Sequence, residues 1–198
     1  MNDLTPYYHG SGMTLTYERE WLPKDRAAWL LARLFSHVSW RQDSITVRGR
    51  THLLPRLQQW YGDEGSVYSY AGIKMEPLPW LPYLQEIRED LERVVGKPFN
   101  SVLLNLYRNG SDTVGWHADD EPELGVDPVI ASISLGAERD LLFKHNDPNV
   151  RADRVRIALA HGSLLVMSGQ TQRCWKHSLP RRARVTLPRI NLTFRNIT

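Results

Sequence analysis

Apolar positions recur at helical spacing in two segments of the first half of the chain. Residues on one face of a helix lie three or four positions apart, and residues 22–38 and 82–95 both contain apolar residues at this spacing. These are Leu22, Trp29, Leu30, Leu34 and Val38 in the first segment, and Leu84, Ile87, Leu91, Val94 and Val95 in the second. The second pattern stops before Gly96-Lys97-Pro98, a typical helix end. The sequence therefore predicts two amphipathic helices.

After Pro98 the pattern changes to short strands separated by turn residues such as Asn109-Gly110 and Ser168-Gly169. The predicted strands are Ser101–Tyr107, Val129–Leu135, Arg139–Lys144, Val155–Leu159, Ser163–Ser168, Trp175–His177 and Ile190–Phe194. Many short strands at this spacing are typical of a sandwich or jelly-roll barrel. Residues 44–72 contain frequent glycine and a proline, so we expect irregular structure or short strands there.

These patterns predict an α+β fold that is mainly β, with a double-stranded β-helix (jelly roll) core and N-terminal helices packed on it. A chain of 198 residues is close to the usual size of one domain. We therefore expect a single domain, with about residues 1–97 as the N-terminal helical part and about residues 98–198 as the jelly-roll core.

Composition narrows the class of protein without identifying it. Cys174 is the only cysteine, so an intrachain disulfide is excluded and a reducing compartment is compatible. The first ten residues lack the cationic and apolar regions of a signal peptide, and no apolar run approaches the roughly 20 residues that span a bilayer. We expect a monomer without a membrane partner, located in the cytoplasm, or in the nucleus if the source is eukaryotic.

The formal net charge is only +3, but the basic residues gather in two segments. Residues 21–60 hold seven Lys and Arg against two acids, and residues 173–195 hold seven with no acid. Acids lie between them at Asp119, Asp120, Glu121 and Glu123. Either basic cluster, taken alone, is also typical of a solvated surface. Together they favour a polyanionic partner such as nucleic acid.

Two histidines and one carboxylate have a spacing that suits a metal ion. His117 and Asp119 are alternate residues at a predicted strand end, and alternate strand residues share a face. His177, in the short strand that begins after Cys174, supplies a distant third ligand. Taken alone, His-x-Asp also describes a surface histidine beside an acidic turn. The preceding strand and the later strand-borne histidine favour a metal site.

These ligands suit either zinc or iron. A 2-His-1-carboxylate set holds ferrous iron on one face and leaves the opposite positions for a co-substrate and oxygen. Zinc would not explain two arginines in the last predicted strand, Arg189 and Arg195. We therefore expect Fe(II), with an oxo-acid and O2 as co-substrates.

The segment from Arg189 to Arg195 alternates between apolar and polar residues. Its polar face is formed by Arg189, Asn191, Thr193 and Arg195, and such a face is often simply solvated. A solvated face usually mixes both charge signs, whereas this one offers donors for anions. Asn105 and Tyr107 share a face of another predicted strand. If these donors converge on one dicarboxylate, they would fit 2-oxoglutarate.

On these residues the chain resembles the AlkB family of oxidative nucleic-acid demethylases. The resemblance runs from about residue 38 to the C-terminus, and its motifs are jointly highly specific. The matching stretches are Pro55-Arg56, Tyr61-Gly62-Asp63, Asn105-Leu106-Tyr107, Gly115-Trp116-His117-Ala118-Asp119-Asp120-Glu121, Ile133-Ser134-Leu135-Gly136-Ala137 with Arg139-Asp140, His161-Gly162-Ser163-Leu164-Leu165, Trp175-Lys176-His177-Ser178-Leu179-Pro180, and Arg189-Ile190-Asn191-Leu192-Thr193-Phe194-Arg195.

The resemblance implies Fe(II) bound by His117, Asp119 and His177. It implies 2-oxoglutarate held by five residues, with Arg189 on the distal carboxylate and Arg195 nearer the metal. The five are Asn105, Tyr107, Arg189, Asn191 and Arg195. Family members flip an alkylated base, such as 1-methyladenine or 3-methylcytosine, out of DNA or RNA, hydroxylate its N-alkyl carbon and release an aldehyde.

The resemblance also implies substrate contacts, which belong mostly to the N-terminal part and the loop at residues 181–184. Tyr68 and Tyr70 alternate onto one strand face and are placed near the pocket, with Glu121 close to the exocyclic amine of the base. Core packing also explains both tyrosines. Arg48 stands at the position nearest to the apolar wedge of duplex-preferring relatives, so single strands and duplexes both stay open. We expect three arginines to contact phosphates, namely Arg181, Arg182 and Arg184. The alternative is that they belong to a solvated loop.

Two other functions remain open. An oxygenase of the same fold that hydroxylates a protein side chain would show no preference for alkylated oligonucleotides. A jelly roll that binds nucleic acid without catalysis would not bind iron together with 2-oxoglutarate.

Overall fold

The computed structural model describes residues 6–47, 49–66, 68–70 and 73–198, without the side chains of residues 6, 47, 68–70 and 73–75. Both predicted helices are confirmed, as α1 (Lys24–His37) and α2 (Pro82–Val95). Each buries one face, Ala27, Leu30 and Leu34 on α1 and Leu84, Ile87 and Leu91 on α2. Within the described residues, every helix is too short or too polar to cross a membrane.

A seven-stranded sheet forms the larger layer of the fold. In spatial order its strands are β1 (Pro6–Gly10), β2 (Met13–Glu18), β13 (Ser163–Ser168), β10 (Ile130–Gly136), β15 (Arg189–Arg195), β8 (Ser101–Tyr107) and β5 (Leu57–Gly62). All pairings between these strands are antiparallel. Three of its strands come from the first 62 residues, so the N-terminal part contributes to the sheet as well as the helices.

A four-stranded antiparallel sheet forms the smaller layer. Its order is β12 (Val155–Leu159), β11 (Arg139–His145), β14 (Trp175–Leu179) and β9 (Val114–His117). The remaining described elements are the hairpins β3 (Ser44–Val47) with β4 (Arg50–Leu53) and β6 (Tyr68–Tyr70) with β7 (Ile73–Met75), the short helix α3 (Thr171–Cys174) and a 3-10 turn at Pro122–Leu124.

The core has two layers. One lies between the helices and the outer face of the larger sheet, where Leu34 and Leu91 pack with Leu104 and Leu192. The other lies between the two sheets and includes Leu103, Met167, Phe143 and Trp175. Two facing antiparallel sheets with helices on one outer face confirm the predicted mainly β jelly roll.

The strand register brings the predicted site residues together. Arg189 is the Cα partner of Tyr107, and Asn191 is the partner of Asn105, where β15 pairs with β8. In the smaller sheet, His177 of β14 is the partner of His117 of β9. Because opposite residues in an antiparallel pair project to the same face, each pair points its side chains into the space between the sheets.

Most predicted strands are confirmed within a residue or two. The prediction missed β1 and β2, although Met13-Thr14-Leu15-Thr16-Tyr17 alternates apolar and polar residues as a strand does. Strand β14 also runs two residues past the predicted end, to Leu179.

Candidate active site

His117 and His177 face each other across neighbouring strands, with ring centroids 4.2 Å apart. His117 Nδ1 lies 2.9 Å from the carbonyl oxygen of Gly115. A carbonyl only accepts hydrogen bonds, so this contact favours the tautomer of the neutral imidazole in which Nδ1 carries the proton and Nε2 keeps its lone pair. That Nε2 points toward Asp119, 3.9 Å from Oδ1. The hydrogen bond to the backbone thus orients the imidazole as a metal ligand, a common arrangement in metal sites.

Asp119 lies two residues beyond the end of β9 and is 1% exposed. Its position is set by the loop rather than by the pleat of the strand, because its backbone N–H donates a 3.0 Å hydrogen bond to Gln172 Oε1. Gln172 is itself buried on α3. Sequence reasoning missed Gln172, since nothing in the sequence indicates that a residue 53 positions away reaches this loop.

The three residues His117, Asp119 and His177 present ligand atoms that all lie within 4.8 Å of one another. Ligand atoms bonded to one ion at about 2.1 Å lie about 3 Å apart when they share one face of it, so the longer separations here would shorten as the three atoms bind a single ion. Among the described residues, buried His177 Nδ1 has no hydrogen-bond partner. Two imidazoles and one carboxylate suit ferrous iron, and these residues therefore fit the metal.

Electrostatics keep the two buried members of this set in their metal-binding forms. Burial, followed by the proximity of His117, lowers the pKa of His177 to about 3, so its imidazole is neutral at pH 7. Burial alone would raise the pKa of Asp119, but the positive charge of Arg195, together with smaller contributions from the two histidines, outweighs this and lowers it to about 2. At neutral pH the site offers a neutral nitrogen ligand and an anionic oxygen ligand.

All seven residues of β15 are buried, so its polar face is not the half-exposed surface that alternation alone would allow. Arg195 Nη2 lies 3.1 Å from Asp119 Oδ1. Arg189 Nη2 donates a 2.9 Å hydrogen bond to Ser134 Oγ. Burial lowers the pKa of Arg189 to about 10, which leaves it cationic at pH 7. Two buried guanidinium groups therefore point toward the interior of one cavity.

Asn105 and Asn191 are held mainly by protein contacts. Asn191 Nδ2 donates to Ser132 Oγ at 2.8 Å and to the Ile133 carbonyl at 3.1 Å, and its Oδ1 accepts from Thr193 Oγ1 at 2.9 Å. Asn105 Oδ1 accepts a 2.7 Å hydrogen bond from Arg56 Nε. The serines are identified by the register between β10 and β15. Arg56, just before β5, is identified by its hydrogen bond to Asn105.

These side chains line one cavity between the sheets. Its polar lining is Arg56, Asn105, Tyr107, His117, Asp119, Ser132, His177, Arg189, Asn191, Thr193 and Arg195, and its apolar lining is Leu103, Val114, Leu141, Leu159, Met167 and Leu179. The metal set and the two arginines therefore share a single space, in which an anion bound by a guanidinium group would lie beside a bound metal ion.

The residues predicted to contact nucleic acid differ in their exposure and in their partners. Arg181 and Arg184 are exposed, whereas Arg182 pairs with Asp140 through Nη2 and Nε at 2.9 and 3.1 Å. That ion pair makes Arg182 an anchor of its loop, so it is less available to phosphate than its neighbours. Glu121 is partly buried and precedes the 3-10 turn.

Three further side chains that are predicted to contact the substrate belong to Arg48, Tyr68 and Tyr70. The side chains of Tyr68 and Tyr70 and the whole of Arg48 lie outside the described residues. The backbone of β6 pairs with β7 in the register Tyr68 to Met75 and Tyr70 to Ile73.

Comparison with known proteins supplies a family context for this site. The family model for the 2OG-Fe(II) oxygenase superfamily matches residues 14–195. A human protein named DNA oxidative demethylase ALKBH2 is 48% identical over 158 residues, which cover 77% of this chain and 60% of that protein. The human alpha-ketoglutarate-dependent dioxygenase alkB homolog 3 is 43% identical over 178 residues, covering 86% of this chain and 62% of that protein.

A plant relative and a solved structure extend the comparison. The Arabidopsis thaliana protein named DNA oxidative demethylase ALKBH2 is 38% identical over 210 residues, covering 94% of this chain and 67% of that protein. The solved structure of OsALKBH1 superposes with a TM-score of 0.64 and 18% identity, covering 97% of this chain and 100% of that one. At that identity the structural likeness shows the fold. The chain spans about three fifths of the length of the human relatives.

Proposed function

The chain belongs to the 2OG-Fe(II) oxygenase superfamily and, within it, to the AlkB family, and from that premise we propose that it oxidatively demethylates N-alkylated bases in DNA. The observation that carries the proposal is the shared cavity. His117, Asp119 and His177 lie in the same space as Arg189 and Arg195. A metal set alone would fit many enzymes, whereas buried arginines beside it fit the oxo-acid that this superfamily uses.

In this proposal, His117, Asp119 and His177 bind Fe(II), and the residues of β8 and β15 bind 2-oxoglutarate. Arg189 would pair with the distal carboxylate, since guanidinium and carboxylate groups form strong paired hydrogen bonds. Arg195, which already contacts Asp119, would lie at the end of the co-substrate nearer the metal. Tyr107, Asn105 and Asn191 would complete the polar lining, with the two asparagines acting mainly through their neighbours.

Bound iron, with 2-oxoglutarate and O2, would supply the oxidising power that inserts a hydroxyl group into an N-alkyl C–H bond. The side chains of the protein set the conditions for that reaction. Arg195 would keep Asp119 anionic, Arg189 would orient the co-substrate, and the apolar residues Leu141 and Leu179 would limit water. The hydroxymethyl group on the cationic ring nitrogen would then lose its O–H proton as the C–N bond breaks, which releases formaldehyde and a proton and leaves the ring nitrogen neutral with its lone pair.

Positively charged 1-methyladenine and 3-methylcytosine are the substrates we propose. A base methylated at a pairing nitrogen pairs poorly, so moving it out of the stack costs less. Glu121 would lie near its exocyclic amine, while Tyr68 and Tyr70 would offer aromatic faces to the cationic ring. Exposed Arg181 and Arg184 would contact phosphates, Arg182 would hold their loop, and Arg48 would contact the nucleic acid at the wedge position.

Several coarser features complete the proposal. Residues 1–198 would act as one dioxygenase domain and as a monomer, with the substrate recognised largely by residues 1–97. RNA carrying the same methylated bases would be a further substrate. Because the single cysteine fits a reducing compartment, we place the protein in the cytoplasm, or in the nucleus of a eukaryote.

The test is formaldehyde release from matched methylated and unmethylated oligonucleotides, as single- and double-stranded DNA and RNA, with Fe(II) and 2-oxoglutarate supplied. We expect release from methylated DNA and none from the unmethylated control, with binding that weakens steeply as salt rises. Consumption of 2-oxoglutarate that no methylated oligonucleotide stimulates would favour a protein hydroxylase. Binding of oligonucleotide without any consumption would favour a module that lacks catalysis.

A further inference from the structure

Arg139 is a buried cation that the proposed reaction does not use. It is the first residue of β11 and is 2% exposed. Its Nη2 donates to the carbonyl oxygens of Asp112 at 2.9 Å and Pro180 at 2.8 Å, and its Nη1 donates to the Asn109 carbonyl at 3.2 Å. Three backbone carbonyls from two separate segments thus share one guanidinium group.

The two segments that Arg139 joins are also bonded directly to each other. The Gly110 N–H donates to the Val185 carbonyl at 2.7 Å, and the Arg182 N–H donates to the Gly110 carbonyl at 2.8 Å. A Cβ atom at Gly110 would lie 1.8 Å from the Arg182 carbonyl oxygen, so only glycine permits this approach. We call Arg139 with residues 109–112 and 180–185 the Arg139 junction.

One side of the junction carries the basic loop at residues 181–184. Arg182 of this loop pairs with Asp140, the neighbour of Arg139 on β11. Arg181 and Arg184 project from the same loop into solvent. The orientation of both exposed arginines is therefore set by backbone that Arg139 and Asp140 hold in place.

The other side of the junction lies beside Tyr107, which lines the co-substrate cavity. The Arg139 guanidinium lies 5.9 Å from the centroid of the Tyr107 ring, and the Arg189 guanidinium lies 5.3 Å from the same centroid. Only Arg108 separates residues 109–112 from Tyr107, the last residue of β8. Movement of the 109–112 turn would therefore move the ring that packs against Arg189.

We propose that Arg139 is a positioning residue that couples the basic loop to the 2-oxoglutarate end of the cavity, so that nucleic acid and co-substrate each bind more tightly when the other is present. This inference rests on the proposed function, since it assigns both ligands to the sites given above. Its physical basis is that one rigid, planar donor group bonds both the backbone next to the basic loop and the turn that follows β8. Lysine would keep the charge but, as a single ammonium, would lose the fork that reaches three carbonyls at once.

The experiment is a thermodynamic cycle on the full chain loaded with Mn(II), which occupies the metal site without turnover. The affinity for 2-oxoglutarate is measured by calorimetry with and without a 1-methyladenine single-stranded oligonucleotide. For the wild type we expect the oligonucleotide to tighten 2-oxoglutarate binding about fivefold or more, which is the lower range of typical coupling. Linkage requires the same factor for oligonucleotide affinity with and without 2-oxoglutarate, which provides an internal check.

Arg139→Met and Arg139→Lys should bring this factor close to one, with each ligand still binding alone. Arg156→Met is the matched control, because Arg156 also contacts Asp140, at 3.5 Å, but its side chain is 68% exposed and, among the described residues, forms no hydrogen bond or ion pair with either segment. The control should keep the wild-type factor. A wild-type factor of one, or an unchanged factor in both Arg139 variants, would overturn the inference while leaving the proposed function intact. A wild type that binds no 2-oxoglutarate would overturn both.

If both Arg139 variants fail to fold, hydrogen exchange on the wild type decides the question. Adding 2-oxoglutarate alone should slow exchange at the Gly110 and Arg182 amides, which bond across the junction. Slower exchange at residues 105–107 with no change at residues 180–185 would show that the two sites are independent, which contradicts the coupling.

Discussion

The guanidinium group of Arg195 lies 3.1 Å from the carboxylate of Asp119, and both side chains are almost fully buried. One ion pair therefore joins the proposed co-substrate residues of β15 to the proposed metal ligands. Because each charge compensates the burial of the other, neither residue can be changed without affecting both parts of the cavity.

Arg195→Met should destabilise the metal-free protein by about 3 kcal/mol, since removing one partner of a buried ion pair leaves an uncompensated charge. It should also weaken Mn(II) binding, because Asp119 loses the positive charge that keeps its pKa low. Chemical denaturation and calorimetry measure the two effects. By the same reasoning Asp119→Ala should lower stability as well as activity, although it lies in the site. If Arg195→Met left both the free energy of unfolding and the metal affinity unchanged, the ion pair would contribute to neither.

Arg189→Met should raise the 2-oxoglutarate concentration needed for half-maximal turnover by about 10- to 100-fold, the equivalent of one or two charged hydrogen bonds. The maximal rate should fall much less, since Arg189 is assigned to co-substrate binding and not to the metal. Steady-state kinetics with varied 2-oxoglutarate test this. Arg154→Met, at an exposed position, is the control for loss of one positive charge. An unchanged half-saturating concentration in Arg189→Met would refute its role.

Gln172→Leu should weaken metal binding by about 10- to 100-fold, as changes to the hydrogen-bond partners of metal ligands typically do. The leucine cannot accept the hydrogen bond from the Asp119 N–H, so the loop that carries this ligand loses its anchor. Gln172→Glu keeps an acceptor oxygen and should recover much of the affinity. Gln170→Leu, at a nearby exposed position, should bind metal like the wild type. Equal metal affinity in Gln172→Leu and the wild type would mean that the loop needs no anchor.

Asp112 should make the stability of the protein sensitive to acid. Burial alone would raise the pKa of Asp112, but hydrogen bonds from Arg108 outweigh this and lower it. A carboxylate with a lowered pKa stabilises the fold above its unfolded pKa of about 3.9, and this contribution disappears as pH falls through its lower folded pKa. The free energy of unfolding should therefore decline below about pH 4 more steeply in the wild type than in Asp112→Asn. Equal slopes would contradict this, and exposed Asp153→Asn should match the wild type.

Periodicity and spacing predicted the helices, the jelly-roll class and the residues with metal-like or anion-like chemistry, because these features repeat locally along the chain. Strand β15 shows what local patterns do not predict. Its alternation defined which side chains share a face, but burial of that face follows from pairing with β8 and β10. Gln172, Arg56 and Ser134 were not assigned roles, since each acts on a residue about 50 or more positions away. Contacts of that kind arise from register between strands and from loop packing, which no local pattern encodes.

For Arg182 the sequence predicts a role that the fold makes less available. Its sequence context, Arg181-Arg182-Ala183-Arg184, predicts three equivalent phosphate contacts. The ion pair with Asp140 separates Arg182 from its two exposed neighbours. Charge clusters in a sequence thus indicate the kind of partner, while the fold decides which of the charges are available.

An anaerobic titration with Fe(II) and 2-oxoglutarate tests the central claim most directly. If His117, Asp119 and His177 hold one ferrous ion beside an oxo-acid bound by Arg189 and Arg195, a charge-transfer absorption band should develop only when both are added. It should saturate at one equivalent of iron, and it should be lost in His177→Ala. The absence of the band in the wild type with both ligands in excess, or an equal band in His177→Ala, would contradict the account.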